Sequence, residues 1–185
     1  MTSTALFDGH DAAINIMRRV MQAQGAEVVH LGHDRSVLEV VSAVIEEDAS
    51  GVAVSSYQGG HLEFFEYLVQ TLRQRGAGHI RVYGGGGGTI VPAEIDYLHS
   101  VGVARIFAPE DGQRLGLAAM VNVILRDCDQ PRPPTAIEYA ALMSGHTPTL
   151  ARLITAIETA TAQPDILQPA RAAASGSHSV VLGIT

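Results

Sequence analysis

Short runs rich in valine, isoleucine and alanine alternate along most of this chain with longer stretches in which apolar positions recur at helical spacing. Strand-like runs fall at Thr4–Phe7, Glu27–Leu31, Gly51–Ser55, His79–Tyr83 and Arg105–Ala108, and their largely apolar character is what a sheet covered on both faces requires. Between them the spacing predicts helices over Ala12–Gln24, Ser36–Asp48, Gly60–Arg75, Pro92–Ser100 and Asp111–Arg126. In the first of these, Ile16, Val20 and Ala23 share a face and Gly25 supplies a C-terminal stop; in the fourth, Pro92 suits the first turn. Such an alternation predicts an α/β domain built on a parallel sheet.

From Cys128 onward the pattern breaks. Gln130-Pro131-Arg132-Pro133-Pro134 reads as an extended linker, and a helix or helix pair is expected within Thr135–Thr161. Gln163–Ser179, rich in Ala, Pro and Ser, reads as flexible, and Val180–Thr185 reads as a lone strand. The expected organisation is one domain over residues 1–127, followed over 128–185 by a linker and the start of a truncated further domain.

Composition narrows the function classes. A net charge of -7 and the absence of lysine argue against nucleic acid or an anionic membrane surface as partner, and exclude lysine Schiff-base chemistry. A single cysteine, Cys128, permits no internal disulfide and no thiolate cluster, which fits a reducing compartment and a cytoplasmic location. Every apolar run is interrupted well short of the roughly 20 residues that span a bilayer.

The expected fold is a flavodoxin-like (Rossmann-like) five-stranded parallel sheet of order 2-1-3-4-5 with a C-terminal helical linker. Its switch point then lies between the first and third strands, and ligands bind beyond the carboxyl ends of strands there. Three candidate segments converge on that edge: Asp8-Gly9-His10-Asp11, Ser55-Ser56-Tyr57-Gln58-Gly59-Gly60-His61, and Gly84-Gly85-Gly86-Gly87-Gly88. A histidine with a carboxylate two residues behind it suits metal ligation, because the carboxylate can hold one ring nitrogen and fix the tautomer. The plainer alternative has Asp8 capping the helix and His10 merely exposed. Five glycines at a strand end cost backbone entropy, which points to close approach by a bulky ligand; a solvated loop is the alternative.

These residues resemble the three-part signature of cobalamin-binding domains, Asp-x-His-x-x-Gly, Ser-x-Leu and Gly-Gly, over about Leu6 to Leu125. Within that superfamily, Leu6-Phe7-Asp8-Gly9-His10-Asp11-Ala12-Ala13-Ile14-Asn15, the Ser55–His61 segment and Pro109-Glu110-Asp111-Gly112-Gln113 resemble the fused isobutyryl-CoA mutases, relatives of the methylmalonyl-CoA mutases. The resemblance implies adenosylcobalamin as cofactor, bound base-off/His-on. His10 would be the axial ligand to cobalt, Asp8 would accept the imidazole proton, and Ser55 would hydrogen-bond the displaced dimethylbenzimidazole. Gly85 and Gly86 would admit the nucleotide tail, with Gly84 an equally good match. Gly9, Asp11, Tyr57, Gly59, Gly60 and Glu110 complete the implied cofactor-binding set. Glu110 and Asp111 are equally read as caps of the next helix, and Tyr57 as a ring on the cofactor or a core cap. Two positions depart from the pattern: Ala13 replaces the motif glycine and Tyr57 the leucine.

The resemblance further implies two partner domains, in cis or in trans: an acyl-CoA mutase barrel and a P-loop GTPase chaperone, whose first strand Val180–Thr185 resembles. This portion would then bind cofactor and not catalyse alone. Competing readings are a corrinoid methyl-carrier domain, a flavodoxin-like regulatory module without a corrin, and a zinc or iron hydrolase using Asp8 and His10. A receiver-type module would need a lysine near the fifth strand, and no second histidine–carboxylate pair is evident for a hydrolase. His30 and His33, on the second strand and its following turn, look like a ligand pair but, without a carboxylate partner in sequence, are not read as a metal site. His61 borders the corrin or lies on the surface at a helix start, while His79, His99, His146 and His178 read as surface residues.

Overall fold

The computed structural model describes residues 1–130, 139–162 and 164–176. The chain divides into two compact units, Met1–Pro131 and Arg132–Thr185. In the first, β1 (Thr2–Thr4), β2 (Gly51–Ser55), β3 (Arg81–Gly85) and β4 (Arg105–Phe107) form a sheet of order β1-β2-β3-β4. All three ladders are parallel, and their register sets Thr4, Ser55, Gly85 and Phe107 in one row at the carboxyl edge. Everything that follows those four residues therefore emerges on the same side of the molecule.

Among the described residues the sheet has four strands, not five. The expected strand Glu27–Leu31 does lie beside β1, but with a single isolated parallel bridge, Thr2 to His30; a second, Ala5 to Arg35, falls beyond it. Gly32 and Asp34 take φ of +82° and +55° between those bridges, and the turn they make interrupts the ladder. The spatial order of segments is still the expected one, with the bridging segment outside β1. β1 itself sits earlier than its hydrophobic pattern suggested, because Phe7 has φ +64° and the Asp8 N–H closes a turn onto the Ala5 carbonyl at 3.1 Å. Thr2, Ser3 and Thr4, polar yet fully buried, form the strand instead. Thr2 Oγ1 meets His30 Nδ1 at 3.0 Å and Ser3 Oγ donates to the Thr4 carbonyl at 3.1 Å, so most of the burial penalty is offset locally.

Alternation along the strands separates two cores. Val52 and Val54 of β2, Val82 of β3 and Ile106 of β4 pack with α2 (Val37–Glu46), α3 (His61–Gln74) and α4 (Pro92–Val101), chiefly through Val40, Val44, Phe65, Leu68, Leu72 and Leu98. Ala53, Tyr83 and Phe107 face the other way, toward α1 (Ala12–Ala23) and α6 (Leu117–Cys128). α1 turns inward with Ile14 and Met21, while Ile16, expected on its inner face, is 54% exposed. The helix expected over Asp111–Arg126 is two, α5 (Pro109–Leu115) and α6, broken where Gly116 takes φ +74°. Burial pushes the Cys128 thiol up from its usual range, and the side chain packs against the second core.

The second unit contains α7 (Tyr139–Met143), α8 (Thr147–Glu158) and α9 (Pro164–Ala174). The first two match the expected helix pair, whereas α9 replaces the flexible stretch expected there, its alanines outweighing an internal Pro169. The expected linker from Pro131 on, and the expected strand Val180–Thr185, lie outside the described residues. No described helix is long and apolar enough to cross a membrane.

Candidate functional site

The turn after β1 buries a carboxylate. Asp8 is 1% exposed, and its two oxygens are met by three donors from the protein. Oδ1 accepts from the His10 backbone N–H at 2.9 Å and pairs with His10 Nδ1 at 2.9 Å, while Oδ2 accepts the Tyr57 backbone N–H. A buried carboxylate so supplied with donors is stable without a cation. Asp8 therefore does not cap α1; Asp11 holds that position without a side-chain cap bond, its Oδ2 taking Asn15 Nδ2 at 3.0 Å.

The imidazole's surroundings are opposite to the carboxylate's. The His10 side chain is 78% exposed, and with Nδ1 held by Asp8 it is Nε2 that is left for a ligand. The Tyr57 ring stands beside it, centroids 5.8 Å apart and planes inclined at 41°. His10 is thus held in one tautomer and one orientation by a buried anchor, the arrangement that raises a ligand's basicity.

Beside this pair a groove of about 480 Å³ opens between the sheet and α1, α5 and α6. Its walls are apolar, with Ile14, Met17, Phe107, Leu117, Met120 and Ile124 among them, and its rim carries Tyr57 and Gly84–Gly87. Ser55 lines it, and the Ser55 hydroxyl is buried without a hydrogen-bond partner. The buried hydroxyls of Thr4, Ser56 and Thr71 also lack a partner, and of these four Ser55 alone lines the groove. Ser55→Ala should accordingly leave the ligand-free protein as stable as before, or up to about 1 kcal/mol more stable. Urea denaturation reads that outcome, and a loss of stability would show that the hydroxyl already has a role in the fold.

The other expected site residues are distributed as follows. Gly9 and Gly59 are exposed loop positions, and Gly60 is the N-cap of α3, its N–H donating to Gln58 Oε1. Glu110 is exposed in the first turn of α5 and does not line the groove. Asp111 caps: its Oδ2 accepts the Ala108 N–H at 3.2 Å, and Oδ1 meets Arg105 and Arg114, each at 3.0 Å. Burial alone would raise its carboxyl, but Arg114, the Ala108 N–H and Arg105 together hold it below the ordinary range.

The glycine run is tight chiefly for internal reasons. A Cβ on Gly84 would meet Phe65 and Ile106, and one on Gly86 would meet the Ser56 carbonyl, while Gly88 faces open space. His61 is neither a surface residue nor on the groove: it is 4% exposed, with Nδ1 on the Gln58 carbonyl and Nε2 on Glu94 Oε2, both at 3.0 Å. His33 does have a carboxylate partner, Asp34, at 2.9 Å, and His99 Nε2 accepts the Ile106 N–H at 3.2 Å. Among the described residues no group of three or more His, Cys, Asp or Glu could hold a metal ion.

The apolar groove walls escaped the sequence reading, since Ile14 and Met17 carry the same signal as any inward helix face.

A parallel sheet with an apolar slot at its carboxyl edge, and a carboxylate-anchored histidine beside it, define a cofactor-binding α/β domain. Residues 1–117 match the family model "B12 binding domain", and the chain belongs to that family. It is 60% identical over 159 residues to a fused isobutyryl-CoA mutase of Geobacillus kaustophilus, covering 85% of this chain and 15% of that protein. With the fused isobutyryl-CoA mutase of Nocardia farcinica it is 58% identical over 186 residues, covering all of this chain and 17% of that protein. The chain thus spans less than a fifth of the length of these relatives. A cobalamin-binding protein of Desulfitobacterium hafniense shares its fold, with a TM-score of 0.56 and 27% identity over 68% of this chain and 56% of that one.

Proposed function

We propose that this chain binds adenosylcobalamin base-off/His-on and serves as the cofactor domain of a cytoplasmic acyl-CoA mutase of the isobutyryl-CoA type. The observation that carries the reading is the contrast at His10: an exposed imidazole with a buried carboxylate anchor and, among the described residues, no cluster of three or more His, Cys, Asp or Glu that could hold a metal ion. A lone, oriented histidine cannot build a metal site by itself. It would suit a cobalt ion that arrives already held by a macrocycle. His10 Nε2 would ligate that cobalt, and Asp8 would hold the imidazole proton and strengthen the donor. Ser55 and the apolar groove would receive the displaced benzimidazole, the hydroxyl meeting a ring nitrogen and Ile14, Phe107 and Ile124 its faces. Gly84, Gly85 and Gly86 would border the nucleotide tail. When bound, the cofactor supplies a radical by cobalt–carbon homolysis.

Substrate binding and radical protection require a mutase barrel, and the companions that fit are that barrel and a P-loop GTPase chaperone. This chain's own task is to hold, orient and enclose.

The test is electron paramagnetic resonance of the chain with cob(II)alamin, comparing natural-abundance protein with protein carrying nitrogen-15 histidine. The expected result is a superhyperfine splitting that changes with the label. A pattern indifferent to the label would overturn His10 ligation and the reading with it.

A further inference from the structure

The pair formed by buried His61 and partly exposed Glu94 belongs to neither the groove nor the His10 anchor, yet it holds the loop on which that anchor depends. His61 is the first residue of α3 and Glu94 lies in the first turn of α4, 33 positions away. His61 Nδ1–H donates back to the Gln58 carbonyl, inside the Ser56–Gly60 loop. On its other side Glu94 Oε2 meets His61 Nε2 and also accepts the Val91 N–H at 2.9 Å. The Val91 N–H first, and His61 second, hold the Glu94 carboxyl below the ordinary range, so it is an ionised acceptor at neutral pH. One side chain thereby ties the loop after β2 to the start of α4, which follows the glycine run.

The same loop carries Tyr57, whose backbone N–H occupies Asp8 Oδ2. Asp8 in turn holds both the backbone and the ring of His10. We infer that His61 and Glu94 are positioning residues for the cofactor's axial ligand: they fix the Ser56–Gly60 loop, and through the Tyr57 N–H and Asp8 they fix the His10 imidazole. The inference rests on the cobalamin reading above. Neither residue touches the cofactor in this scheme, and freeing the loop lowers the fraction of molecules whose His10 is ready to ligate.

Tyr97 provides the control. Its hydroxyl donates to Glu66 Oε2 at 2.8 Å and so also braces α4 against α3, without contact to the loop. Cob(II)alamin is titrated into the wild-type chain and the His61→Gln, Glu94→Gln and Tyr97→Phe variants. Apparent affinity, the share of bound cobalt showing histidine superhyperfine splitting, and the thermal midpoint are read for each. His61→Gln and Glu94→Gln are expected to bind about tenfold more weakly, as the competent fraction falls to about one-tenth, and with a smaller histidine-ligated share. Tyr97→Phe should match the wild type in both. Glu94→Gln, at a partly exposed carboxylate, keeps the test open if His61→Gln does not fold. Wild-type behaviour in Glu94→Gln, or an equal loss in Tyr97→Phe, overturns the inference while leaving the cobalamin reading intact. A wild-type chain without histidine ligation removes both.

Discussion

Replacing His10 with alanine is expected to abolish the histidine superhyperfine signal of bound cob(II)alamin and to weaken binding by about a hundredfold or more. The size follows from its position: loss of a residue that merely supports a metal ligand commonly costs 10–100-fold, and the ligand itself lies at or beyond the top of that range. A hundredfold corresponds to about 2.8 kcal/mol of binding free energy. Stability should change little, within about 0.5 kcal/mol, because the ring is 78% exposed and Asp8 keeps the donors from the His10 and Tyr57 backbones. His33→Ala is the matched control. His33 pairs with Asp34 at the same 2.9 Å, but both side chains are more than half exposed. If pairing with a carboxylate were all that mattered, the two variants would behave alike, and equal affinity and equal spectra in both would remove His10 from the site. Aromatic and surface histidines elsewhere are poorer controls, since His99 supports β4 through the Ile106 N–H.

That prediction rests on residues that the sequence alone singles out. Asp8, His10 and Ser55 stand where apolar runs stop, and in a parallel α/β fold those stops gather at one edge whatever the details of packing. The row Thr4, Ser55, Gly85, Phe107 shows the gathering directly. What was illegible shares a different cause. β1 is built from Thr2, Ser3 and Thr4; the Thr2 and Ser3 hydroxyls find partners that a hydrophobicity pattern does not contain, and the Thr4 hydroxyl is buried with none. The Glu27–Leu31 run has the composition of a strand, yet its ladder is cut by two positive-φ residues whose turn is decided by tertiary contacts. The break at Gly116 lay inside an unbroken helical period, and glycine there cost only a small propensity penalty on paper. His61 and Glu94 are each ordinary in sequence; their meaning comes from a pairing across 33 positions.

The glycine run shows the same limit most sharply, and it yields the second large effect. Five glycines in sequence look equivalent, but the structure ranks them. A Cβ on Gly86 would stand 2.0 Å from the Ser56 carbonyl oxygen and 2.8 Å from Thr89 Oγ1. The first is backbone, and it is not free to yield, since the Ser56 N–H is itself bonded to the Gly85 carbonyl at 2.8 Å. Gly86→Ala must therefore push apart the two loops that meet at the carboxyl edge, at an expected cost of about 3 kcal/mol. Because one of those loops carries the Tyr57 N–H that holds Asp8, cobalamin binding should fall with it. Gly84→Ala meets Phe65 and Ile106 side-chain atoms at 2.4 and 2.6 Å, which can repack in part, so a cost of about 1–3 kcal/mol is expected. Gly88 has nothing within 4 Å, and alanine there should be neutral or stabilising by a few tenths of a kcal/mol through the unfolded chain's lost freedom. Urea midpoints for the three variants at constant m-value measure the ranking. If Gly86→Ala proves as stable as Gly88→Ala, the loops are not pressed together as described, and the run is tolerant of side chains until a ligand arrives.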